Sequence, residues 1–485
     1  MINASPVAAG RPISLLWSAA PFVVMIAVLS VGSGIYRLNV AVLLLLSAAF
    51  TGLVARAHGY RWAQLEAGIV AKLAASMPAS LIVTAVGALI GAWMFSGTIP
   101  MMIYYGIQVI HPDWIVLSAF LIATVVSTVT GTSWGSVGTV GVALIGIAAS
   151  IGAPLPLTAG AIVAGAYFGD KMSPMSDSTN LAALVTGANL YEHIRHLMYT
   201  TVPVYLLSIL LYLLLGRSSG GAYVQPAAVQ ATLQALEGMF VFGAAGLLLL
   251  VPVAIVIGGS VMKLPTVPIM LLSSALAVLL GVTVQGFSPA HGVAALVDGF
   301  RLDMAGAAAA TPAVAKLLTR GGMASMMGTL LIVFCAFGFA GMVSCTGMLD
   351  TLLKAITDRV ALRRGPLILS TVLTCLAVGL ATGASFLCLI IPAEMFGPAY
   401  RKAGLHPVNL SRTVEDAGTV VVPLVPWSMA GIYMSAQLGV EVVDYAPYAF
   451  LCYGCLVLAV FYGYSGIGIR PLAVAAAPEA AERQA

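Results

Sequence analysis

The chain has 485 residues, of which 60% are hydrophobic and 8% charged, with a formal net charge of +4. Soluble domains run to roughly 45–50% apolar and about 25% charged residues, so this composition, with a mean hydropathy of +1.04, excludes that class. The excess positive charge is spread over short loops and makes no nucleic-acid patch.

Apolar runs long enough to cross a hydrocarbon core of about 30 Å recur along the chain. The pattern predicts full crossings at 15–33, 38–56, 78–96, 198–215, 236–258, 264–284, 324–346 and 447–466. The first run lacks a strongly basic leader and a small-x-small cleavage site, and reads as a retained helix. Orientation follows from Lys and Arg in short loops. Arg56, Arg61 and Lys72 follow the second run, Arg195 precedes 198–215, and Lys354, Arg359, Arg363 and Arg364 follow 324–346. Placing these clusters in the cytoplasm puts both termini inside; Arg37, Arg217, Arg301, Lys316 and Arg320 are the exceptions. His193 and His196 flank Arg195 in an amphipathic stretch that reads as a solvated interfacial face, with a pH sensor as the functional reading. "GTIPMMIYYG" (97–106) reads as a boundary with an aromatic belt. All six cysteines lie in apolar runs of the second half, as small buried hydrophobes, and Cys452-x-x-Cys455 falls short of a four-ligand zinc set.

Two further regions, 113–190 and 366–437, are apolar but repeatedly interrupted. "TGTSW" (Thr130 to Trp134) and "TGASF" (Thr382 to Phe386) share one pattern, and Asp170-x-x-Ser173 with Pro174 is matched to Asp416-x-x-Thr419 with Pro423. By charge, the first region enters from outside and ends inside, and the second does the reverse. The expected fold is therefore an all-α polytopic membrane protein, an inverted-repeat secondary transporter with two re-entrant hairpins (113–152, 366–400) and two broken helices (156–190, 407–437). The repeats would occupy 78–215 and 324–466 of one transmembrane domain. Connecting helices and a loop would fill 216–323, with a cytoplasmic tail at 467–485.

The polar chemistry concentrates in "GDKMSPMSDSTN" (169–180). Asp170 and Asp177 are seven apart and would share a helix face, but Pro174 clashes with the carbonyl of Asp170 and breaks that helix. Backbone groups freed in a membrane must be buried in protein or line a wet cavity. Ser173, Ser176, Ser178, Thr179 and Asn180 add oxygens, a donor set that suits a hard cation such as Na⁺. A charge at membrane depth costs about 2.5–3.5 kcal/mol and marks ion or substrate paths. Asp177, Asp170, Thr132 and Ser133 are the expected Na⁺ ligands. Ser173, Ser176, Thr179, Asn180, Asp416, Ser385 and Thr419 complete the expected cation- and proton-binding set, with Lys171 and Arg412 as counter-charge or gating residues.

Structural readings stand beside these. Asp177 and Asp170 could serve in ion pairs or be satisfied by hydroxyls, and Lys171 is either a counter-charge or a mobile competitor for the cation. Asp416 follows Arg412 by one turn, as in a plain i,i+4 ion pair. Glu415 points elsewhere on that helix, and Glu394 reads as structural. Ser133 and Ser385 stand at hairpin tips where Gly131 and Gly383 permit a sharp turn, or simply pack as small residues between helices.

"TGTSWGSVGTVGVALIGIAASIG", "AGAIVAGAYFGDKMSPMSDSTNLAALVTG" and "HIRHLMYTT", with "SGTIPMMIYYG" upstream, resemble the NhaC family of Na⁺/H⁺ antiporters over 95–205. "TGASF" and "EDAGTVVVPLVPWS" extend the likeness more loosely. The resemblance implies a bacterial inner-membrane antiporter that exchanges Na⁺ for H⁺ by alternating access. Some relatives resemble exchangers of small organic acids such as malate and lactate, so a small organic anion is the alternative cargo, held by half-helix N-termini, Lys171 or Arg412. The expected partners are Na⁺, H⁺ and the lipid bilayer; a homodimer is admitted, and no resident cofactor is expected. The chain carries no P-loop, H-E-x-x-H or nucleophile motif, which argues against an enzyme. Breaks in both halves favour an occluded midplane site over a passive channel.

Overall fold

The computed structural model describes residues 13–29, 31–32, 36, 38–220, 226–306, 312–319, 321–357 and 363–472. Among them every regular element is helical, apart from one isolated bridge between Leu405 and Pro471. Eight helices are long and apolar enough to cross a membrane, or up to ten if each of two bent pairs counts as one span. Helices prevail because in lipid each backbone donor and acceptor must be paired within the protein. The chain is a multi-pass membrane protein. Arg37, Arg320, Arg359 and the expected tail beyond 472 lie outside the described residues.

A framework of helices holds the two interrupted regions. Trp62–Phe95 packs against Pro289–Asp298 and Met323–Cys345 at backbone distance: a Cβ on Gly91 would stand 2.0 Å from the Ala295 carbonyl oxygen, and one on Gly68 would stand 2.8 Å from the Gly341 carbonyl oxygen. The crossing expected at 78–96 thus begins sixteen residues earlier, with Lys72 on the helix rather than in a loop. The stretch 97–106 is itself helical, within Thr98–Val109. The crossing expected at 236–258 is interrupted. Pro226–Met239 stops, and a second helix runs over Gly246–Val261. Gln285 explains the stop, because its side chain bonds both the Val241 amide (2.7 Å) and the Val241 carbonyl (3.2 Å), taking the backbone out of the helix.

Each interrupted region forms a hairpin followed by a broken helix. The first hairpin is α1 (Ile115–Thr130) and α2 (Ser133–Ser150), and its broken helix is α3 (Leu155–Met172) with α4 (Asp177–Thr186), followed by α5 (Leu190–Gly220). The second hairpin is α6 (Arg364–Thr382) and α7 (Ser385–Lys402), and its broken helix is α8 (Pro407–Leu424) with α9 (Met429–Leu438), bent by 48°. A bridging helix, Val442–Tyr448, leads into α10 (Phe450–Ser465).

The two hairpin tips turn on glycines in the left-handed region, Gly131 (φ 69°) and Gly383 (φ 64°). Ser176 and Ser428 cap α4 and α9, and Gly187 and Gly439 end those helices, again at positive φ. Gly131 and Gly383, Ser133 and Ser385, Ser176 and Ser428, Gly187 and Gly439 are each 252 positions apart. Each tip also rests on the break of its own half. A Cβ on Gly131 would meet the Met175 backbone at 2.9 Å, and the Gly383 carbonyl accepts a bond from the Met429 amide (3.1 Å).

That register corrects one expectation. Asp170 corresponds to Val422 and Asp416 to Ala164, so the two aspartates are not equivalent. The short D-x-x-S/T match is six residues out of step with the caps and turns.

Within the first half, α1 and α3 meet without intervening side chains. The Ser127 hydroxyl donates to the Ala166 carbonyl at 2.5 Å, and a Cβ on Gly165 would fall 2.3 Å from the Phe120 carbonyl oxygen. Gly165→Val is expected to destabilise the protein by about 1–3 kcal/mol through overpacking. A lowered thermal midpoint in detergent would show it; an unchanged midpoint would mean that the helices can part freely.

Candidate functional site

The first break follows from its residues. Pro174 cannot continue α3, Ser173 closes it, and Ser176 opens α4 by accepting the Thr179 amide (3.5 Å). The freed carbonyls are bonded by the residues just beyond them. The Thr179 hydroxyl donates to the carbonyls of Lys171 (3.0 Å) and Asp170 (3.3 Å), and the Asn180 amide donates to those of Ser176 (2.7 Å) and Pro174 (2.9 Å). Ser173 accepts the Met175 amide. Ser173, Thr179 and Asn180, expected as ion ligands, thus also bond the unwound backbone.

Asp170 is the carboxylate at the centre of this arrangement. One oxygen accepts the hydroxyl (2.6 Å) and amide (3.2 Å) of Ser133, the first residue of α2. The other accepts the hydroxyl of Ser176 (2.6 Å), the cap of α4. Two helix N-termini therefore converge on one half-buried carboxylate, and both favour negative charge there.

Lys171, one residue on, points away into the second half. It is 1% exposed and pairs with Asp416, which is fully buried and also accepts the Thr200 hydroxyl (3.1 Å). Lys171, not Arg412, is the ion partner of Asp416, contrary to the i,i+4 expectation. The cause is a π-helical turn over Glu415–Thr419, which changes the side-chain register below Arg412. The same turn brings Glu415 into the site: its Oε1 accepts the Thr419 hydroxyl (2.9 Å) one turn on and, across the two halves, the Ser178 hydroxyl (3.3 Å). The helical spacing assumed in the sequence turned Glu415 away, and its one signal there was a pair of acids in an apolar run.

The four expected Na⁺ ligands do not share one hydrogen-bonded cluster. Asp170 and Ser133 are joined as described. Asp177 is exposed at the start of α4 and, with Thr132, lines a cavity of ≈150 Å³ between the hairpin tip and the helix Gly246–Val261, with Ser260 and Lys263 on its far wall. The Ser385 side chain, half-buried, makes no hydrogen bond among the described residues. Among the described residues no group of three His, Cys, Asp or Glu side chains is placed to hold a metal, so a cation at Asp170 would draw on hydroxyl and backbone oxygens.

Three expectations at the edges change. His193 and His196 are buried, not solvated: with Leu197 and Thr200 they form the face of α5 that α8 covers, while Arg195 stays exposed. Arg412 is fully buried, donating from Nη1 to the Gly468 carbonyl (2.8 Å) and leaving Nε and Nη2 without a partner. Five of the six cysteines are buried, but Cys345 is exposed. Glu394 is exposed on α7.

The family model described as "Na+/H+ antiporter family" matches residues 165–467. The chain is 43% identical over 454 residues to the "Uncharacterized Na(+)/H(+) antiporter" of Haemophilus influenzae, covering 93% of this chain and 96% of that one. It is 37% identical over 409 residues to the "Na(+)/H(+) antiporter NhaC" of Alkalihalophilus pseudofirmus, covering 84% and 86%. It is also 34% identical over 408 residues to the "Malate-2H(+)/Na(+)-lactate antiporter" of Bacillus subtilis, covering 84% and 85%.

Proposed function

Because the chain belongs to the NhaC family of Na⁺/H⁺ antiporters, we propose that it exchanges Na⁺ for H⁺ across the bacterial inner membrane by alternating access, with Asp170 as the carboxylate for which the two ions compete. The observation that carries this assignment is the convergence of Ser133 and Ser176 on Asp170. A hydroxyl both donates and accepts. While the site holds no cation, both serines donate to the carboxylate; when Na⁺ arrives, they rotate and turn oxygen lone pairs toward it. A proton on Asp170 removes the charge that attracts Na⁺, so competition for one group couples the two fluxes. Asp177 and Thr132, on the adjoining cavity, serve as the entry side of this site. Lys171 is held as a fixed counter-charge by Asp416.

The 252-residue register of the two halves supports reading them as paired repeats that move against the framework helices. The Lys and Arg clusters in the short loops support both termini on the cytoplasmic side.

The test is proton flux in proteoliposomes holding the purified protein under an imposed pH gradient, on adding NaCl without any organic acid. Sodium-driven proton movement is the expected result; silence from a folded protein would sink the reading. A second reading rests on Arg412, whose free Nε–Nη2 edge has the geometry that a carboxylate bridges with both oxygens. Flux that starts only when malate or lactate is added would favour it.

A further inference from the structure

Beside the ion site, one seam between α5 and α8 holds most of the buried side-chain polar atoms that lack a hydrogen-bond partner among the described residues. On α5 they are His193 Nε2 and both ring nitrogens of His196; on α8 they are Arg412 Nε and Nη2, Glu415 Oε2 and Asp416 Oδ2. His193, Arg412, Glu415 and Asp416 are fully buried, and His196 is 6% exposed. Native proteins rarely leave such atoms unpaired, and those that look so mark water, ions or a functional role. Donors and acceptors are mixed along this seam, and water supplies both.

The seam has direction. His193, His196 and Thr200 stand at i, i+3 and i+7 of α5, one face over a rise of about 10 Å. Its inner end is the Thr200 bond to Asp416 (3.1 Å), and its outer end lies beside the exposed ion pair of Glu192 and Arg470 (3.3 Å). The charged and titratable neighbours are Lys171 from α3, Glu192 and Tyr199 on α5, Tyr400 from α7, Arg412, Glu415 and Asp416 from α8, Cys455 and Tyr462 from α10, and Arg470 from the segment after it.

Hydrogen bonding also orients His193. The Ser411 hydroxyl stands 2.8 Å from His193 Nδ1 and 3.1 Å from the Val408 carbonyl. In the tautomer that donates from Nδ1 to Ser411, while Ser411 donates to that carbonyl, the buried Nε2 lone pair is free to take a second proton.

We propose that this seam is a hydrated proton route of the antiport cycle, in which His193 relays protons between the surface and Asp416. Nε2 takes a proton from water on the outer side and yields it to water on the inner side, returning to the neutral ring. That water protonates the free Oδ2 of Asp416. Lys171 then loses its counter-charge one residue from Asp170, and its positive charge disfavours Na⁺ there. Proton arrival at one carboxylate is thereby felt by the cation at the other. The inference rests on the antiport reading above.

Sodium-driven proton flux is measured for wild type, His193→Gln and His193→Ala in proteoliposomes, together with the Na⁺-induced rise in thermal midpoint in detergent. Gln keeps a donor for Ser411 but cannot relay a proton. Both variants are expected to lose about tenfold or more in flux while keeping the Na⁺-induced shift, and added imidazole is expected to restore His193→Ala alone. Near wild-type flux in His193→Gln would assign His193 a purely structural role and overturn the relay. So would loss of the Na⁺-induced shift in both variants, or an Ala variant that keeps the shift and gains nothing from imidazole. A wild type without flux would instead remove the antiport reading itself.

Discussion

Asp170→Asn abolishes sodium-driven proton movement while the protein stays folded: this is the largest functional effect expected of a single substitution here. The amide has the shape of the carboxylate, and Ser133 and Ser176 can each turn to donate or accept, so the local hydrogen bonds survive. What is lost is the charge. A unit charge about 4 Å from a cation is worth about 4 kcal/mol at an effective dielectric near 20, roughly a thousandfold in affinity. Asp177→Asn is the informative partner, because Asp177 is exposed beside the cavity rather than bonded into the tip. It should raise the Na⁺ concentration needed for half-maximal flux several-fold and leave the maximal rate close to wild type. Full activity in Asp170→Asn, or the reverse ranking of the two variants, would move the cation site to the cavity.

The largest effect on stability is expected at Lys171 and Asp416. Both are buried, and each is the other's charge partner. Lys171→Met leaves a buried carboxylate uncompensated, and Asp416→Leu leaves a buried ammonium; breaking such a pair from one side costs about 3–5 kcal/mol. Replacing both together removes the two desolvation penalties along with the attraction, which is often neutral or stabilising. The double variant Lys171→Met/Asp416→Leu is therefore expected to unfold near the wild-type midpoint in detergent, well above either single variant. Its transport should nonetheless be lost, because the buried ion pair that links the two halves beside Asp170 is gone. Equal midpoints for all three variants would show that the pair adds nothing to the fold.

Local chemistry was legible in the sequence; side-chain register across distance was not. Gly131 and Gly383 announced sharp turns, and both adopt the left-handed backbone such turns use. Pro174 announced the break, which falls where the ring removes a donor and crowds the turn above. The Lys171–Asp416 pair joins positions 245 apart, which no local spacing can reveal. A spacing of 3.6 residues per turn points Glu415 away and offers Asp416 an alternative pairing with Arg412, where the chain in fact makes a π turn. The stretch holding His193, Arg195 and His196 reads as amphipathic, but whether its histidines meet water or another helix depends on α8, more than two hundred residues later. The interruption at Val241 is likewise the work of Gln285, a residue in another element.

The seating of each hairpin tip on its own break separates two kinds of joint. Within a half, the joint is backbone against backbone, at Gly131 with Met175 and at Gly383 with Met429. Between halves, the tips and breaks meet through side chains, as in Lys171 with Asp416, Ser178 with Glu415, and the Tyr433 hydroxyl on the Trp134 carbonyl (2.8 Å), where the two rings stack at 4.4 Å. Point mutation can rewrite a side-chain joint in one step, whereas a backbone joint yields only to wholesale change. A lineage built this way can retune its cargo and the ease of its transport cycle by single substitutions at the meeting of the halves, while the frame of each half is inherited intact.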